Sequence, residues 1–118
     1  MIMRNQKWSE EEVILLIDLY FDLKQSNTAI TDAREEIHIL SELLRKLAII
    51  NGNDINETFR NENGITMKLN NIRYIDTLGN DGLSAYSDLD KNVYDQFVDN
   101  SDVMRIRAKS IYKRLALK

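Results

Sequence analysis

Apolar residues recur at helical spacing along most of the chain, and alternation of apolar and polar positions is sustained nowhere. The strongest series is Ala33, Ile37, Leu40, Leu44 and Leu47, at i, i+4, i+7, i+11 and i+14. It predicts a helix starting near Thr31 or Asp32, both cap candidates, and ending at Asn51-Gly52, a left-handed stop signal. Its acids (Glu35, Glu36) come early and its bases (Arg45, Lys46) late, as the helix dipole prefers. Before it, Ser9 and Glu12 form a capping box, and Trp8 can staple back onto Val13. That first helix runs to about Lys24, with Leu15, Leu16, Leu19 and Leu23 as its main face and Val13, Ile17, Tyr20 and Phe21 beside it. Only Glu11, Asp18 and Asp22 give it a clear polar strip, so it should be largely buried.

Asn53 to Asn63 is polar, with one helical turn expected around Ile55–Phe59. A third long helix follows from about Ile65 and breaks at Leu78-Gly79-Asn80-Asp81-Gly82. Ser87 caps a further helix, with Asp90 at the box position and Leu89, Val93 and Phe97 on one face. Asp99 to Asp102 ends it and caps the last, whose stripe is Met104, Ala108, Ile111 and Leu115. The pattern is therefore all-α: a compact domain of five helices with a short sixth, built on a helix-turn-helix-like core of the first three long helices.

The third helix carries two stripes. Ile65, Leu69, Ile72 and Asp76 share one face, and Thr66, Asn70, Arg73 and Thr77 share another that no core requires. Asn and Arg can each make paired hydrogen bonds to a base edge in the major groove. A solvated face beside an Asn-rich turn is the plainer reading of the same spacing.

Composition narrows the classes. A chain of 118 residues, 43% hydrophobic and 30% charged, fits one domain, residues 1–118, of a globular protein. No apolar run approaches the roughly 18–20 residues of a membrane span, no secretory signal opens the chain, and cysteine is absent, so a cytoplasmic protein is expected. The net charge of −3 is unevenly spread: residues 9–58 hold eleven acids and four bases, whereas residues 103–118 hold six bases and no acid. A local basic patch can serve nucleic acid on an acidic chain, and a dipole-matched helix end accounts for the same tail. His38 is the only histidine, and its expected role is structural. With no cysteine, no phosphate loop and no ordered calcium ligands around Asp76, Asp81, Asp88 and Asp90, neither an enzyme nor a cofactor is expected.

Three groups of residues resemble one family. They are Trp8 with Glu11-Glu12 and Tyr20-Phe21; Phe59-Arg60-Asn61, Asn63-Gly64-Ile65, Met67-Lys68-Leu69 and Asn71; and Gly82-Leu83 with Ser87, Asp90, Val93-Tyr94 and Phe97. Together they resemble the N-terminal domain of McrA-like, modified-DNA-dependent bacterial HNH restriction endonucleases. The likeness covers nearly the whole chain, and its middle motif is long and specific. In that family the module recognises DNA, in some members DNA with modified cytosine, while a separate C-terminal HNH domain cuts. The HNH domain is absent here, one histidine could not build it, and Tyr94 stands where the pattern leads one to expect Trp.

The resemblance implies a DNA-recognition domain without catalysis. Its partners would be duplex DNA, methylated or hydroxymethylated at cytosine, and a nuclease domain or subunit; no membrane is involved. Phe59, Ile65, Leu69 and Phe97 are expected in the core, with Gly64 at a bend and Asn63 capping the third helix. Arg60, Asn61, Lys68, Asn70, Asn71 and Arg73 remain for DNA: Arg60 and Lys68 for phosphates, Asn70 and Arg73 for base edges. Trp8 and Tyr74 could stack on a displaced base, although packing is the expected role of Trp8, and Met67 or Tyr74 could offer apolar contact to a cytosine methyl. The alternative is a protein-interaction or adaptor module that regulates a nuclease without touching DNA.

Overall fold

Ser9 fixes where the chain first turns helical. In a computed structural model, which describes residues 6–117, its hydroxyl accepts from the Glu12 amide at 3.2 Å and the Glu12 carboxylate accepts from the Ser9 amide at 2.9 Å. The lead-in expected at Met1–Lys7 lies, up to residue 5, outside the described residues. The box opens α1 (Glu10–Gln25), whose residues from Glu12 to Tyr20 are all buried. A helix apolar nearly all round must be enclosed, and α1 packs against each of the other four helices.

The second helix, α2 (Arg34–Ile50), starts later than Thr31 or Asp32 would place it. Ile30–Asp32 instead forms a 3₁₀ turn that buries Ile30, and Ala33 heads α2 with no side-chain cap. The expected stop holds: Gly52 has φ +81°, and the amides of Gly52 and Asn53 return to Ile49 and Ala48. No helical turn forms around Ile55; residues 57–60 are turns, fastened to α2 by Arg45, which donates to the Asn56 and Phe59 carbonyls at 3.1 and 2.6 Å.

The third helix, α3 (Glu62–Asp76), buries Ile65, Leu69, Ile72 and Ile75. Its cap is Asn61, whose Oδ1 accepts from the Gly64 amide at 2.8 Å, so the helix begins earlier than Asn63 as a cap would give. Ser87 and Asp90 open α4 (Asp88–Asp99) with a second complete capping box, and α5 (Ser101–Ala116) buries the expected stripe Met104, Ala108, Ile111 and Leu115. Among the described residues there are five α-helices and no strand. The Cα radius of gyration of 13.8 Å is that of a compact chain of this length, about 13–14 Å. No helix is long and apolar enough to cross a membrane among the described residues.

Residues 78–87 fold back over α3. Leu83 donates its amide to the Asn70 carbonyl at 3.0 Å, and Gly82, at φ +89°, lies so close that a Cβ there would stand 2.3 Å from that carbonyl oxygen. Only glycine allows this approach. The segment therefore covers part of the outer face of α3 and leaves the N-terminal half open.

Candidate nucleic-acid interface

The residues expected to meet DNA fall into two sets. The first is turned inward. Arg60 is 5% exposed; its Nε and Nη2 donate to the two Glu12 carboxylate oxygens at 2.6 and 3.0 Å, and Nη2 also donates to the Gln6 carbonyl at 2.8 Å. Its guanidinium lies 4.7 Å from the Trp8 ring centre and 4.3 Å from that of Phe59. The assignment of Arg60 to phosphate is corrected: withdrawing it would leave Glu12 buried and unpaired. Lys68 is also engaged, its ammonium 2.8 and 2.7 Å from the two oxygens of Asp90, a fully buried carboxylate that caps α4. Asn71 is buried and donates to the Leu83 carbonyl at 3.0 Å, holding the 78–87 segment. Asn61 is occupied as the cap of α3.

The second set stays at the surface. Asn70 is half-buried and donates to the Thr66 carbonyl one turn back at 2.9 Å. Arg73 pairs with Asp81 at 2.6 Å, both side chains being about half exposed. Such an exposed pair is worth only about 0–1 kcal/mol, so Arg73 can exchange Asp81 for a phosphate at little cost. Tyr74 packs beside Tyr86, ring centres 6.0 Å apart. Further toward the start of α3, Asn63 is exposed and Met67 is 59% exposed. They border a shallow cleft of about 380 Å³ whose other walls include Gln6, Trp8, Thr58 and Asn61. Lys7 is exposed on the same lead-in. Asn63 was expected as a cap, so its carboxamide is the open group that the sequence reading missed.

The arginines of the basic tail are paired within the fold, while Lys109 and Lys113 stay exposed. Arg105 donates to the Asp18 carboxylate at 2.6 Å and pairs with Asp22 at 2.9 Å; Arg107 pairs with Glu10 at 2.8 Å and Arg114 with Glu11 at 2.6 Å. The acidic strip of α1 thus faces the bases of α5. Burial raises the Asp18 carboxyl above its ordinary value despite the arginine.

A polar hub lies under the α3 C-terminus. Asp76, placed by spacing on the apolar face, accepts from the hydroxyls of Tyr20 at 2.6 Å and Tyr94 at 2.5 Å and from Lys24 at 2.9 Å. Phe21 stacks on Tyr94 and Phe97, with ring centres 6.0 and 5.8 Å apart. Burial pushes the Asp76 carboxyl up, but the three donors outweigh it and hold it below its ordinary value, while burial and Asp76 push both tyrosines up. Because the folded value is the lower one, the contribution of Asp76 is complete above the ordinary carboxylate pKa of about 4 and is lost as pH falls through the folded value. The variant Asp76→Asn should therefore be less stable than the native chain at pH 7, with the gap narrowing as pH falls below about 4, read from urea midpoints. A gap independent of pH would mean that Asp76 acts through shape alone.

His38 meets Glu62 at 2.7 Å on the surface, and this bond raises the imidazole above its ordinary value. Among the described residues, no group of three or more His, Asp or Glu side chains is placed to hold a metal ion. Compared with protein-family models, with curated proteins and with solved structures, the chain matches none.

Proposed function

We propose that this chain is the DNA-recognition module of a restriction system, a helix-turn-helix-like domain that reads duplex DNA bearing modified cytosine and leaves cleavage to another domain or subunit. The observation that carries the reading is the open N-terminal half of α3, where Asn63 and Met67 stand exposed beside the lead-in. In helix-turn-helix proteins the N-terminal residues of the recognition helix are the ones that reach base edges. A carboxamide can read an adenine edge, and a thioether gives the apolar surface that a cytosine methyl needs in the major groove. Arg73, expected at base edges from the sequence, holds a half-exposed ion pair and is the cation of α3 that can turn to a phosphate. The motif likeness, which includes Asn63 and Met67, supports the same reading.

Fluorescence anisotropy on paired duplexes, identical except for cytosine methylation, at two salt concentrations tests it. The methylated duplex should bind more tightly, both should weaken steeply with salt, and neither should be cut in magnesium. Met67→Ala should shrink the preference about fourfold, the equivalent of about one buried methylene. Arg73→Ala should weaken both duplexes alike and reduce the salt slope by about one. Equal affinity for the two duplexes would leave a plain DNA binder.

A second reading is favoured by the neutralised cations. Arg60, Lys68, Arg105, Arg107 and Arg114 all face carboxylates of the same chain, which leaves a weak field for a polyanion. A protein-interaction module regulating a nuclease fits that surface. Absence of binding to either duplex at low salt selects it.

A further inference from the structure

We propose that the groove between α1, α2 and α5 docks an amphipathic helix of a partner protein, one whose apolar stripe is flanked by lysines or arginines. The groove holds about 340 Å³. Leu19 and Leu40 form its floor, and Ile39, Leu43 and Tyr112 its walls. Ile39 is 52% exposed at the rim of this groove. Ile39 and Leu43 lie at i and i+4 on the groove, and the same line continues along α2 through Lys46 at i+7 to Ile50 at i+11, about 16 Å at 1.5 Å per residue. A straight seam of three turns bordered by a second helix suits a helix laid between them. The fold offers no strand edge there, since the surrounding elements are all helical.

Charge selects the kind of helix. The charged side chains lining the groove are Asp22 and Glu36, both acidic. Asp22 already shares Arg105 at 2.9 Å but keeps 59% of its side chain exposed, and Glu36 is exposed with no ion-pair partner among the described residues. Lys46 lies farther along the same seam, at i+7 from Ile39. The acids therefore gather at the Glu36 end, where the partner's bases belong. None of the lining residues comes from α3 or residues 78–87, so this face and the α3 surface can be occupied at once.

The test uses the whole chain and three synthetic peptides of about five helical turns: one with leucines at helical spacing flanked by lysines, one with glutamates for the lysines, and one with the lysines kept and the leucine stripe scrambled. Calorimetry should show one-to-one micromolar binding of the first alone. Ile39→Asp, at an exposed position, should keep the helical circular dichroism and weaken that binding at least about tenfold, equivalent to 1.4 kcal/mol. Glu36→Lys should weaken the lysine peptide and strengthen the glutamate one. Equal binding of the lysine and glutamate peptides, or binding unaffected by Ile39→Asp, would overturn the proposal. So would no binding at hundreds of micromolar, or concentration-dependent dimerisation abolished by Ile39→Asp, which would give the face to a second copy.

Discussion

Arg60→Ala should lower the unfolding free energy by about 3–5 kcal/mol, the usual cost of removing one partner from a buried ion pair. The pair is buried on both sides, with 4% and 8% of the Arg60 and Glu12 side chains exposed. Alanine would leave the Glu12 carboxylate enclosed, still bonded to the Ser9 amide but stripped of its two guanidinium donors. It would also empty the space between the Trp8 and Phe59 rings. The loss should therefore reach both the start of α1 and the entry to α3. Arg60→Met/Glu12→Gln, which removes the charge from both partners, should recover part of it, because no uncompensated ion remains. Urea unfolding of the two variants at constant m-value checks this. A loss below about 1 kcal/mol for Arg60→Ala would show a solvated pair and would return Arg60 to the phosphate-binding candidates.

What spacing and local chemistry determine was legible in the chain. Ser9 with Glu12, Ser87 with Asp90, and the Asn51-Gly52 stop all act within five residues, and the structure carries each of them. The buried stripes of α2, α3 and α5 followed from period alone. Two local choices went otherwise. Asn61 and Asn63 offer the same capping chemistry two residues apart. The structure uses Asn61 because Arg60, at φ +47°, turns the chain there while its side chain reaches Glu12. Thr31 and Asp32 were plausible caps, yet the amides of Asp32 and Ala33 close onto Ala29 and Ile30 in a turn that seats Ile30 in the core.

The state of the candidate cations was beyond the reach of spacing. Arg60 meets Glu12 across 48 positions, Lys68 meets Asp90 across 22, and Arg105 meets Asp18 across 87. A sequence motif rich in Arg, Lys and Asn reads as a surface because those residues are usually exposed. Here the acids of α1 and α4 draw much of it into the fold. Asp76 carried the one usable signal, a carboxylate at i+11 of an apolar stripe on a chain that also supplies Tyr20 and Tyr94 at otherwise apolar faces.

Leu69→Ala should cost about 2–5 kcal/mol, whereas Asn70→Ala, its neighbour, should cost less than about 1 kcal/mol. Leu69 is fully buried on the face of α3 that packs against α1, α2 and α4, so truncation opens a cavity that three helices cannot close without moving. The Asn70 side chain bonds only to a carbonyl of its own helix, at 2.9 Å, and the bond that holds residues 78–87 uses its backbone oxygen, which alanine keeps. Below the unfolding temperature, Leu69→Ala should bind DNA with native affinity per folded molecule, because Asn63 and Met67 stand on the exposed side of the helix. Equal losses in urea would mean that the inner and outer faces of α3 are assigned wrongly. Native stability of Leu69→Ala with lost binding would place the recognition surface on the Leu69 side of α3.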